Sequence, residues 1–142
     1  MAFRCKPFFT ILFAVFLSVL FLFSAASCEG EREEPLTLLL FAVTDGDTAA
    51  AFSLGDTLHD GVSKAVLGRV TALRTEPSLG EENGVLYPDG RVRLFLTLEV
   101  TATPKGEGYS IEGVPLAVGK KLALHGRGAV EAVCLAVQKQ AP

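Results

Sequence analysis

Residues 92–102 follow a spacing that few backbones tolerate. Val92, Leu94, Leu96, Leu98, Val100 and Ala102 are apolar, and Arg93, Thr97, Glu99 and Thr101 between them are polar, with Phe95 the exception. A period of two sustained over that length belongs to a β-strand with one face in a core and the other mostly wet. No segment after residue 35 keeps a helical apolar spacing over three turns. Short apolar runs are instead separated by Asp45-Gly46, Asp60-Gly61, Asn83-Gly84 and Asp89-Gly90, pairs that reach positive φ cheaply and close hairpins. Residues 36–43 are almost continuously apolar, which predicts a strand covered on both faces. Residues 49–54, 66–75, 109–112, 121–125 and 129–138 supply shorter candidates. About six to eight strands with Gly-rich turns predict an all-β domain over residues 36–142, either a small barrel or a sandwich.

An internal repeat sharpens this expectation. Leu54-Gly55, Leu58-His59 and then Gly68-Arg69-Val70-Thr71-Ala72-Leu73 run parallel to Val118-Gly119, Leu124-His125 and then Gly128-Ala129-Val130-Glu131-Ala132-Val133. Each copy follows a strand-rich segment. The body therefore reads as two β units of about 60 residues, neither large enough to bury a core alone.

The first 28 residues are a different material. They hold most of the phenylalanines and neither a glycine nor an acidic residue. Arg4 and Lys6 precede the apolar run 8–23, and Ser24-Ala25-Ala26-Ser27-Cys28 follows it, which is the basic, apolar, small order of a secretory signal. Residues 8–27 would span about 30 Å as an N-terminal hydrophobic helix, enough to cross a bilayer. Cleavage, retention as an anchor, and lipidation at Cys28 in the manner of a bacterial lipoprotein are three outcomes open to this leader. On each, positive charge before the span and acidic residues after it place the body outside the cytoplasmic membrane. Residues 29–35 read as an acidic tether. The chain's formal net charge is −3, and because Arg4 and Lys6 sit in the leader the exported body is more acidic still. That excludes the basic face a nucleic-acid binder needs. Cys134 is the one cysteine of the body, so no internal disulfide forms there, and its apolar run predicts a buried thiol.

A resemblance follows from several of these segments together. One amino-terminal span, Gly55-Asp56, the run 67–73 leading into Glu76-Pro77, the long strand 93–102, and Ile111-Glu112-Gly113 before Val118-Gly119 resemble an uncharacterised bacterial family of single-span membrane proteins with an extracytoplasmic β-domain, a domain of unknown function. The resemblance implies a topology and no catalytic residues.

Sites are sparse. His59 and His125 hold matching places in the repeat, but without a paired ligand spacing they predict exposed turn residues rather than zinc ligands. Asp45-Gly46-Asp47 reads as a hairpin turn, since no calcium-loop ligand series follows it. Ser53 or Ser110 with Lys120 or Lys121 would be needed for a Ser/Lys hydrolase, and no motif surrounds them. No cofactor, metal or catalytic residue is expected. The expected function is a membrane-tethered, non-catalytic interaction or assembly module of the bacterial cell envelope, held to the cytoplasmic membrane by its leader and meeting an envelope protein partner. Its surface is expected on loops within 55–68 and 75–88, with Tyr87, Phe95, His59 and His125 as contact residues. A small-ligand or glycan-binding domain is the rival reading.

Overall fold

The computed structural model of the chain describes residues 32–141. The leader over residues 1–28, Cys28 and the start of the tether lie outside the described residues. In chain order the elements are β1 (Glu34–Thr44), a short helix α1 (Gly46–Ala50), β2 (Thr57–Asp60), β3 (Val66–Glu82), β4 (Val85–Lys105), β5 (Gly108–Ile111), β6 (Val114–Leu116), β7 (Lys121–His125) and β8 (Ala129–Lys139). The domain is all-β, as the alternation and turn spacing imply, with eight strands in one antiparallel sheet of order β1-β8-β7-β2-β3-β4-β5-β6. Glu34 and Pro35 already belong to β1, opposite Ala102 and Thr101.

β1 also pairs with β4, from Glu34↔Ala102 to Thr44↔Val92. Six strands therefore hydrogen-bond in a closed circuit, β1-β8-β7-β2-β3-β4 and back to β1, with β5 and β6 as a hairpin continuing from β4. Closure of this kind defines a barrel and leaves the six strands without a free end to the sheet. The order is unchanged when β1 exchanges with β4, β2 with β7 and β3 with β8. The two pairs that map onto themselves, β1–β4 and β2–β7, sit on opposite walls.

The interior follows the period-two pattern. Leu94, Leu96, Leu98, Val100 and Ala102 of β4 face Leu36, Leu38, Leu40 and Ala42 of β1, all buried. Each such leucine contributes about 1.5–3 kcal/mol by leaving water. The ends are closed by the crossovers. β1 and β4 run antiparallel, so the chain leaves them at opposite ends; α1 brings Ala49 and Phe52 into the core after β1, and the β5–β6 hairpin brings Ile111, Val114 and Leu116 after β4.

Several local expectations are corrected. Residues 49–54 are no strand: they finish α1 and its turn. Asp45-Gly46 makes no hairpin. Asp45 is the N-cap of α1, accepting the Thr48 backbone N–H at 2.7 Å, which satisfies a helix-terminal donor. Asp60-Gly61 opens a longer turn in which the Lys64 N–H donates to the Asp60 carbonyl (3.0 Å). Of these four pairs Asn83-Gly84 alone, at φ 54° and 77°, closes a two-residue hairpin, in the left-handed pair of conformations that matches strand twist and that Glu112-Gly113 repeats between β5 and β6. Asp89-Gly90 lies inside β4, where residues 89–91 stand opposite Ser78 alone between the pairs Leu79↔Pro88 and Pro77↔Val92. β1 is covered on one face only; Leu39 and Phe41 are half-buried and Val43 is exposed on the outside of the circuit.

Gly68 marks the tightest crossing of the sheet. A Cβ there would run into the Glu99 carbonyl oxygen and lie 2.6 Å from Val100 Cγ1, so β3 can approach β4 only without a side chain. Gly68→Ala is expected to lower unfolding stability by about 2–3 kcal/mol. Gly46→Ala, in open space at the start of α1, should leave stability unchanged or slightly raised. Urea denaturation of the two variants beside the parent checks both; equal midpoints would contradict the packing argument.

Candidate interaction surface

β3 and β4 are much longer than their barrel partners require. β1 pairs with β4 no further than Val92, and β2 pairs with β3 only as far as Arg69. Beyond the pair Pro77↔Val92 the two strands continue as a two-stranded arm to the Asn83-Gly84 turn. Its root is fixed by Asp89. The Ser78 hydroxyl donates to this carboxylate (3.1 Å), the Arg91 backbone N–H donates at 2.9 Å, and the Arg91 guanidinium adds an ion pair at 2.9 Å. The Asp89 carboxyl is held below its ordinary value chiefly by the Arg91 backbone N–H.

The arm carries apolar side chains with nothing over them. Leu79 is 50% exposed, Val85 65%, Leu86 62% and Tyr87 43%. From the register, Leu79, Pro88 and Leu86 share one face, and Val85 and Tyr87 the other. Tyr87 lies across Gly80, where a Cβ would meet its ring at 2.9 Å, an aromatic covering a cross-strand glycine. Pro77 and Pro88 lack a donor, and the irregular register at Ser78 breaks the ladder, so the arm's edges are poor templates for a further strand. What the arm offers to its surroundings is therefore its side chains rather than its edges.

Below the arm, on the outside of the barrel, three side chains stand in one row across β1, β4 and β3. Phe41 pairs with Phe95, and Phe95 with Arg74. The phenyl rings are 5.1 Å apart at 47°, and the Arg74 guanidinium lies 4.6 Å from the Phe95 centroid, a cation–π contact. Arg74 and Arg93 both bridge to Glu76, at 3.0 and 3.2 Å, so two cations share one carboxylate. Small residues below this row leave a cleft of about 330 Å³ lined by Leu39, Ala72, Leu73, Arg74, Phe95 and Thr97.

The four contact residues expected from sequence do not converge. Tyr87 is on the arm and Phe95 on the outer face near its root. His59 and His125 are register partners across β2 and β7, on the wall opposite β1 and β4, with His59 half-buried and His125 exposed. Asp60 does not serve them: its carboxylate accepts the Ser63 and Val62 backbone N–H groups (2.6 and 3.1 Å) and the Ser63 hydroxyl (2.9 Å). Among the described residues no group of three His, Cys, Asp or Glu side chains gathers to hold a metal. Lys121 is ion-paired to Glu131 at 2.8 Å, which pushes its pKa up, away from the depressed value a lysine base needs. Cys134 is buried, and desolvation raises its thiol pKa. Residues 75–88, expected as a binding loop, are strand and hairpin. Sequence reading missed Arg74, Phe41, Leu79, Val85 and Leu86; the Asn83-Gly84 pair with Val85 and Leu86 beside it was the available signal for a hairpin here.

The fold and surface define a small all-β module with a projecting apolar arm. No protein family, curated protein or solved structure matches the chain. Among the described residues no helix is long and apolar enough to cross a membrane.

Asp60 gives a test of the turn beside the histidines. Backbone donation from Ser63 is the largest cause holding its pKa below the ordinary 3.8. The native carboxyl therefore binds its proton later than the unfolded one, and its stabilisation is full above about pH 4 and fades as the pH falls below that range. Asp60→Asn should lower stability at neutral pH and flatten the decline between pH 4 and 2; thermal melts across that range check it, and parallel curves for variant and parent would contradict it.

Proposed function

We propose that this chain is an exported, membrane-tethered, non-catalytic interaction and assembly module of the bacterial cell envelope, built from two β units around one barrel, with the β3–β4 arm as its docking element. The observation that carries the reading is the arm itself: four large apolar side chains exposed together on a rigidly rooted ribbon, where folded proteins ordinarily scatter such groups. The basic, apolar, small order of the leader supports export. Entry of the chain supports the orientation. Glu34 starts β1 opposite Ala102, whereas Thr44 ends it opposite Val92 at the root of the arm, so the arm projects from the end opposite the one at which β1 begins. Tethering through residues 29–35 would let a modest affinity benefit from high local concentration in the membrane plane.

The glycan-binding alternative ranks below this because its aromatic residues do not assemble a platform. Phe52 is in the core, Tyr109 packs at the opposite end beside Glu34, Tyr87 is on the arm, and only Phe41 and Phe95 pair.

Val85→Asp is expected to leave the fold within about 0.5 kcal/mol of the parent, as exposed substitutions do, and to abolish contacts made by that face of the arm. A photo-reactive side chain at Tyr87 in intact cells should yield a discrete protein adduct that the Val85→Asp variant loses, while the same probe at exposed Glu107 yields none. Adducts equal at both positions, or a body shielded from protease added to spheroplasts, would sink the reading.

A further inference from the structure

We infer that the partner of the arm is a second copy of this chain, each copy laying its arm on the outer face of the other; this rests on the arm being the docking element. Charge supplies the first argument. The tip carries Glu81 and Glu82, neither of which has an ion pair within the described residues, and the face below the root carries Arg74 and Arg93 sharing the single carboxylate of Glu76. An acidic tip and a basic rim on the same molecule are complementary between copies, and they steer and fix register more than they add affinity.

Apolar complementarity runs the same way. On the face continuous with Arg74 and Phe95 the arm presents Tyr87 and Val85 with Glu82, and the barrel face presents the cleft lined by Ala72, Thr97, Leu39 and Phe95. A single arm cannot bend back onto its own barrel face, because Ser78, Asp89 and Arg91 fix its root.

Register makes the fit quantitative. Strand residues advance about 3.3 Å each. From the root pair Pro77↔Val92, Glu82↔Val85 lies five residues outward along β3, and Ala72↔Thr97 lies five residues inward, both on the outer face. A twofold axis that crosses the strands at the level of the root pair and lies just above that face therefore sets each Glu82–Val85 pair about 17 Å past the axis, over the partner's cleft and within reach of its Arg74. The contact is isologous, the commonest way for identical chains to close on themselves. It covers one apolar face of an arm whose edges do not accept a strand.

The test uses the full chain in its native membrane, expressed as two copies with different tags. A photo-reactive phenylalanine analogue at Val85 should give an adduct carrying both tags, with the link mapping to the peptide that contains Ala72 or Thr97. Reversing the face with Arg74→Glu and Arg93→Glu should reduce the two-tag adduct about tenfold, and adding Glu81→Arg and Glu82→Arg to the same chain should restore it to within about twofold. Restoration also shows that the reversed face still folds. A two-tag adduct indifferent to both reversals, or one mapping elsewhere, overturns the inference. An adduct of Val85 with a different protein overturns the second copy as partner while leaving the arm as the docking element. Absence of any adduct from the arm overturns both.

Discussion

Everything in this domain depends on the pairing of β1 with β4. Those strands start at residues 34 and 85, and their register runs from Glu34↔Ala102 to Thr44↔Val92 without a shift. Without that seam β1 would hang on the sheet by β8 alone, and β4 would offer a long unpaired edge. With it, the leucines of both strands meet inside a ring whose only surplus strands are the β5–β6 hairpin and the arm. The seam is also where side chains alternate most strictly, and a slip by one residue would turn Leu36, Leu38 and Leu40 outward and bring Phe41 inside.

How far the sequence reveals this differs from element to element. Residues 92–102 are legible because one face is dry and the other wet, so the backbone period shows directly in residue type. Residues 36–43 are harder. A run that is apolar at almost every position looks like a strand buried on both sides, yet Leu39, Phe41 and Val43 lie on the barrel's exterior, where the Phe95 ring lies against Phe41 and the Arg74 guanidinium against Phe95. The unbroken apolar run thus records two different environments, a core and a partly covered surface, that hydrophobicity alone does not separate. Turn chemistry fails for a related reason. Asp-Gly is favoured wherever a carboxylate can accept nearby backbone N–H groups and the next residue needs freedom, and that describes a helix cap at Asp45, a wide turn at Asp60 and a bulge at Asp89 as well as a hairpin. The candidate surface was legible only through Tyr87 and Phe95. Arg74 and Phe41 reach it through cross-strand register, which joins residues far apart in sequence.

The bulge at Asp89 deserves its place in the mechanism of the surface rather than among defects of the sheet. Residues 89–91 facing Ser78 alone bend β4 where it leaves the ring, and bulges of this sort re-aim a strand while raising its twist. The carboxylate of Asp89 then fills the gap with three kinds of donor, a hydroxyl, a backbone amide and a guanidinium. A ribbon of two strands is marginal by itself in water. This one is held at its base by charge-assisted hydrogen bonds in a partly buried setting and along its length by Tyr87 over Gly80, so its exposed leucines are presented without the entropy of a loose loop.

The symmetry of the strand order explains why the surface is where it is. Under the exchange of β1 with β4, β2 with β7 and β3 with β8, the crossover containing α1 corresponds to the one containing β5 and β6, and the β2–β3 turn corresponds to the β7–β8 turn. Each of these connections has a counterpart at the other end of the barrel and is committed to closing it or turning the chain. The β3–β4 connection alone has none, because it joins the two halves. It is the one place where the chain can lengthen without disturbing a matched element, and it is where both strands outrun the ring. The histidine pair shows the contrast: His59 and His125 face each other across the self-paired wall β2–β7, a position fixed by the symmetry of the barrel itself. The histidine pair follows from the closure of the fold, whereas an apolar ribbon extending past the last barrel pairing has no role in closing the core, and it is this difference that makes the arm the basis of the proposed docking element.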